Sequence, residues 1–193
     1  MPHHNTYYFP KTFDAWKKEV LRVVEIVKLK VSVMTEVAAD EKANVPAGIF
    51  ICLSAFAMAF NQYLFPVRFM GIVYRPGIDA VIVQAIIYAV FSAVGIFILG
   101  FVAQKLFKGK AKSCDFFRVC GYASLLGVAG LVPVAGLVAG LWMLVVCFKA
   151  LKNIQKLSDG AAVGTMVVAF VATVLVVAVF GAVFGDMIAG MMY

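Results

Sequence analysis

Charge is what this 193-residue chain has least of: 14% of its residues are Asp, Glu, Lys or Arg, and 64% are hydrophobic. A soluble domain carries about 25% charged residues. A water-soluble fold of this length still exposes about a third of its chain surface, too much to hide an apolar share this large. Soluble enzyme, disordered tail and disulfide-stapled secreted domain are all excluded. Histidine is scarcer still. His3 and His4 are adjacent rather than four apart, so the paired-histidine pattern of an intramembrane metalloprotease is missing. No GxSxG elbow with a histidine partner occurs, and no Gly-rich loop ends in Lys-Ser/Thr. Asp186 has no second carboxylate near it for acid–base work. The chain is therefore expected to be non-enzymatic, without a cofactor. Cys52, Cys114, Cys120 and Cys147 show neither a CxxC pair nor zinc-like spacing. They are expected to be reduced apolar thiols, with palmitoylation or a four-thiol metal site as the alternatives.

Four long runs contain no charge at all: Pro46–Pro66, Ala80–Gln104, Val119–Phe148 and Gly160–Gly185. About 20 apolar residues of helix cross a bilayer core. The first, second and fourth runs each suit one span. The third is too long for one span and slightly short for two, and Pro133 lies near its middle, where a proline kinks a helix or ends it. Uncharged polar residues inside the runs are few, and nothing ionisable sits at mid-depth. That argues against ion-coupled carriers, proton relays and voltage sensors.

What charge there is has a direction. The formal net charge is +7, and Lys and Arg collect on the cytoplasmic side of spans. If Pro133 marks a turn, giving five spans with the N-terminus inside, 15 of the 17 Lys and Arg are cytoplasmic and only Arg68 and Arg75 are outside. One kinked span would strand Lys149, Lys152 and Lys156 with those two. The expectation is an all-α bundle of five transmembrane helices, N-terminus cytoplasmic and C-terminus not, with spans near 46–66, 80–104, 117–132, 134–150 and 160–185. Arg118 and Lys149 are expected to snorkel at the cytoplasmic ends of the two short spans. The first 45 residues lack the apolar core and cleavage site of a signal peptide, so the first span is expected to be a retained signal anchor. No Arg-rich run is interleaved with aromatics, and nucleic acid is not an expected partner.

Residues 1–45 read as a cytoplasmic arm. Phe13, Trp16, Val20, Val23, Val27, Val31 and Met34 recur at steps of three and four, the stripe of an amphipathic helix. Thr12 is placed to cap its start. The expected helix lies in the membrane plane, with Phe13 and Trp16 at headgroup level and Lys17 and Arg22 on anionic lipid. Docking to a protein partner and packing on the chain's own bundle are the alternatives. Residues 40–42 and Pro46 read as the link into the first span.

Small residues recur four apart at Gly136 and Gly140, Gly160 and Gly164, and Gly181 and Gly185. Gly121, Ser124, Gly127 and Gly130 give the third span a narrow face. Close backbone approach at small residues favours helix association in lipid. Packing within the chain is the expected use, around a turn at Pro133 and with Trp142 on the fourth span; a homo-oligomer seam is the alternative.

From residue 115 the order of motifs resembles the Yip1-domain family of polytopic membrane proteins: Phe117-Arg118, Gly121-Tyr-Ala-Ser124, Pro133, Gly140-Leu-Trp142 and Leu157-Ser-Asp-Gly160. The match covers about 50 residues well. The resemblance implies five spans with a cytoplasmic N-terminus and supplies no catalytic residues. Eukaryotic relatives are associated with Rab GTPases and vesicle traffic. This chain lacks their Asp-Leu-x-Gly-Pro element near the first span, so it looks like a prokaryotic-type member. The functional expectation is a scaffold or adaptor that binds the lipid bilayer and other membrane proteins. An accessory subunit of a larger complex is the second reading, and a passive pore or small-solute carrier the third.

Overall fold

A computed structural model describes residues 9–69, 72–74 and 76–192. Seven helices account for nearly all of it: α1 (Phe13–Val27), α2 (Val31–Ala39), α3 (Asn44–Leu64), α4 (Ile78–Lys105), α5 (Ser113–Ala123), α6 (Pro133–Asn153) and α7 (Asp159–Met192). Among the described residues, five segments are long and apolar enough to cross a membrane: Glu41–Leu64, Ile78–Lys105, Ser113–Leu131, Pro133–Asn153 and Asp159–Val183. The chain is a multi-pass helical bundle. The link between α3 and α4 holds a small antiparallel hairpin of β1 (Val67–Phe69) and β2 (Ile72–Tyr74).

The third span explains how a slightly short run becomes two crossings. After α5 the chain tightens into a 3₁₀ segment, Ser124–Leu131, far longer than the usual three or four residues. A 3₁₀ helix rises about 2.0 Å per residue against about 1.5 Å for an α-helix, so Ser113–Leu131 covers about 32 Å, the thickness of the hydrocarbon core. Val132 is extended and Pro133 opens α6 at a first-turn position that needs no N–H. A Cβ on Gly136 would come within 2.9 Å of Gly130 Cα, and further along the same pair of spans Cys120 Sγ lies 3.8 Å from Cys147 Sγ. The proline is a turn between two antiparallel spans.

α3 packs along α4 and the 3₁₀ segment, α4 along α7, and α6 along the 3₁₀ segment. α7 is the outlier. Its packing is mostly on α4, where Phe180 meets Phe91 edge-on at 5.1 Å, and most of its apolar surface is exposed.

The arm differs from its expected form. One continuous helix becomes two, broken at Leu29, whose φ of 62° is uncommon for a residue with a Cβ. Leu29 N–H bonds Ile26 O and Lys30 N–H bonds Glu25 O, the closure that ends a helix when the residue after its cap turns left-handed. Thr12 does cap α1, its Oγ1 accepting from Ala15 N–H at 3.2 Å. A 3₁₀ turn at Glu41–Ala43 leads straight into α3, with Pro46 buried in the first turn.

Candidate functional site

The two ends of the bundle are chemically different, and each concentrates one kind of polar chemistry. At the arm end, α1 turns Glu19, Val23 and Ile26 inward. Trp16 packs edge-on against Phe50 of α3 at 6.1 Å, and Phe50 against Tyr122 of α5 at 5.2 Å. The Tyr122 hydroxyl donates to Glu19 Oε2 at 2.6 Å. A carboxylate buried to 3% exposure needs such partners, because an unpaired buried charge is costly.

The second partner of Glu19 is Arg22, and this corrects a sequence expectation. Its guanidinium does not rest on lipid. Nη1 donates to Glu19 Oε2 at 3.1 Å and to Asp40 Oδ2 at 3.0 Å, and Nη2 donates to Glu36 Oε1 at 2.6 Å. Burial alone would weaken its hold on the proton. The hydrogen bonds and charges of Glu36, Glu19 and Asp40 outweigh that and push its pKa above the ordinary arginine range. The residue is a cationic hub tying α1 to the C-terminal end of α2.

Arg118 is the second correction. Rather than snorkelling to headgroups, it is 6% exposed. Nε donates to Asn44 Oδ1 at 2.8 Å, and Nη1 donates to Ala38 O at 2.6 Å and to Asp115 Oδ1 at 3.1 Å. Ala38 lies in the last turn of α2, whose unpaired carbonyls carry the negative end of the helix dipole. Trp142 does the same for α1: its Nε1–H donates to Val27 O, the last residue of that helix, at 2.9 Å. Each arm helix is thus terminated by a side chain from a spanning helix. Trp142 lies roughly three turns in from Asn153, so the corner between α1 and α2 reaches well along α6.

What remains exposed on α1 is a different stripe from the expected one: Phe13, Val20, Leu21 and Val24, flanked by Lys17 and Lys18. Phe13 is 83% exposed. Trp16 and Val23, placed on one stripe with Phe13 and Val20 by periodicity, face the other way. Lys149 is half-buried in α6.

At the hairpin end the described residues lining the space between helices are all uncharged. Between α3, α4, the 3₁₀ segment and α6 lies a cleft of about 560 Å³, within the usual range of ligand pockets, about 300–1,000 Å³. Where it nears the hairpin, Gln62 Nε2–H donates to the Tyr88 hydroxyl at 2.7 Å. Gln84 Nε2–H donates to Gln62 Oε1 at 2.9 Å and to the Tyr88 hydroxyl at 3.0 Å. Asn61 Nδ2–H donates to Leu131 O at 3.1 Å, meeting a carbonyl freed where the 3₁₀ segment ends.

The glycines divide accordingly. Gly127 faces Ser54 so closely that any Cβ would overlap the Ser54 hydroxyl, and a Cβ on Gly121 would stand 2.7 Å from the Ala47 Cβ. A Cβ on Gly164 would stand 3.0 Å from the Phe107 ring. Gly140, Gly160 and Gly181 have nothing within 4 Å; at these three the chain makes no close approach to itself, contrary to expectation. His3, His4 and Arg75, and the surroundings of the Arg68, Gly185 and Asp186 side chains, lie outside the described residues.

Periodicity and charge missed Glu19, Tyr122 and Tyr88. For Tyr88 a signal existed: Gln62 and Gln84 flank the short connection between neighbouring spans, so they share a depth, and Tyr88 follows Gln84 by one turn. No family model matches this chain, and no curated protein or solved structure is similar to it.

Proposed function

We propose that this chain is a non-enzymatic membrane protein that acts by binding, a scaffold or adaptor of the Yip1-domain type whose arm faces the cytoplasm. One observation carries the reading: both arm helices are locked onto the bundle through Trp142 and Arg118, while α1 keeps an outer face of apolar and basic residues free. A rigid platform loses little conformational freedom when a partner docks. An apolar-basic stripe suits both an anionic headgroup layer and an acidic protein surface. The placement of 15 of 17 basic residues supports the orientation.

A photo-crosslinking residue in place of Leu21, in native membranes, tests the binding role. The reading expects one discrete protein adduct, lost when Lys17 and Lys18 are both changed to Glu. Lipid adducts alone would overturn the adaptor role. Topology is tested by Pro133→Cys in a background without the four native cysteines, which should react with an impermeant thiol reagent added from outside. A second reading, accessory subunit of a larger complex, is favoured by the exposed length of α7 and by Gly160 and Gly181, which meet no neighbour within the chain. A partner co-purifying at fixed stoichiometry through several steps supports it over a free-standing adaptor.

A further inference from the structure

The cleft at the hairpin end does not close against lipid. α4 packs on α3, α5 and α7, and α6 on the 3₁₀ segment, α5 and α7. The seam between α4 and α6 is left unfilled. Gly95 and Leu99 also line a second cavity of about 510 Å³, bounded by α4, α6 and α7, which adjoins the cleft. Side by side, the two spaces make a slot with amides and hydroxyls at one end and an almost wholly apolar wall at the other.

The polar end has hydrogen-bonding capacity left over. A phenol oxygen accepts two bonds and donates one. The Tyr88 hydroxyl accepts from both Gln62 and Gln84, so among the described residues its own proton has no acceptor. Ser54 and Ser92 also line the cleft and make no hydrogen bond among the described residues. Thr165 and Thr173, outside the polar end, return their hydroxyls to Ala161 O and Ala169 O of their own helix. Hydroxyls at bilayer depth normally need such a partner, because no water is there to supply one. The two serines and the tyrosine are therefore donors facing an open space.

Charge restricts what would fill it. Among the described residues, no Asp, Glu, Lys or Arg lines either cavity. A phosphate or ammonium drawn in would be desolvated with no counter-charge, which is strongly unfavourable. Water suits the polar end, but not an apolar chamber without two to four polar partners.

We propose that the slot binds an uncharged, hydroxyl-headed lipid entering sideways from the bilayer, its head on Tyr88, Ser92 and Ser54 and its chain running past Gly95 and Leu99. The full-length protein in nanodiscs containing equal mole fractions of dioleoylglycerol and dioleoylphosphatidylglycerol, released into native mass spectrometry, gives the readout. The expected result is preferential retention of dioleoylglycerol by about tenfold, the ratio that about 1.4 kcal/mol sets. Gly140→Leu adds bulk on the cleft wall where a Cβ meets no atom, and should cut retention by about tenfold on the same scale. Tyr88→Phe keeps the ring and removes only the oxygen. It should cut retention by about fivefold, the worth of one hydrogen bond. Equal retention of the two lipids by the unmodified protein would overturn the proposal. So would undiminished dioleoylglycerol in either variant.

Discussion

The arm end and the hairpin end of this bundle solve the same problem, polar groups among packed helices, in opposite ways. At the arm end Glu19, Arg22, Glu36, Asp40, Asp115 and Arg118 are matched against one another and against helix-end carbonyls, and the space between helices is closed by Phe50, Phe116 and Tyr122. At the hairpin end the groups are neutral, only partly matched, and set around an open cleft. Buried charges are costly unless paired, so a charged junction favours one arrangement, even with Arg22 Nε left without a partner among the described residues. Amides and hydroxyls tolerate an open site. The first end is built to hold one position and the second to admit something.

The largest blow to that contrast is Arg118→Ala. It removes the donor to Asn44 Oδ1 and Asp115 Oδ1, Asp115 Oδ2 keeping Lys112 N–H, and bares the end of α2; breaking a buried charged contact costs about 3–5 kcal/mol. Thermal unfolding in detergent should drop accordingly, and proteolysis should release the arm first. A fall confined to α5, with the arm still protected, would break the link between Arg118 and α2. Next come paired substitutions at the hairpin end. Gly127→Ala forces a methyl onto Ser54 and should destabilise by about 1–3 kcal/mol. Gly140→Ala meets nothing and should stabilise α6 by about 0.5–1 kcal/mol from lost chain entropy alone. Equal effects at the two positions would mean the cleft is filled or the wall misplaced.

Trp142→Phe comes third. It removes one neutral hydrogen bond to Val27 O, about 1 kcal/mol, and amide exchange should rise in the last turn of α1 more than anywhere in α6. The smallest effect is at Glu25. Hydrogen bonds from Lys30 and Lys28 hold its carboxyl below the ordinary glutamate range. A depressed folded-state pKa stabilises above the unfolded value and is lost as pH falls through the folded one. Glu25→Gln should therefore leave melting unchanged at acid pH and lower it slightly at neutral pH, with the difference shrinking in high salt.

Five crossings were legible in the sequence because lipid forbids charge, and the forbidden stretches can be counted. The turn at Pro133 was legible for the same reason. The 3₁₀ stretch was not: nothing in Ser124–Leu131 distinguishes it from α-helix until Gly127 and Gly130 are brought against Ser54 and Gly136. In the arm, periodicity extended a helix through Leu29, since no glycine or proline marks the break. It also put Val20 on one stripe with Trp16 and Val23, and it did not single out Glu19. The pull on Glu19 comes from Tyr122, 103 positions further on, and no local pattern carries that. Arg118 looked like any base beside a membrane, because the carbonyl it binds belongs to a helix 80 positions earlier. At the other end Gln62 and Gln84 were visible as the few polar residues in apolar runs, but their meeting at Tyr88 needed the two spans side by side.

The claim on which most depends is that the arm is held by the bundle rather than afloat on lipid. Spin labels at Lys18 on α1 and Lys152 on α6, in nanodiscs, measure it by pulsed dipolar spectroscopy. A docked arm predicts a single narrow distance distribution that broadens in Arg118→Ala. A broad distribution in the unmodified protein, unaltered by that substitution, would contradict it.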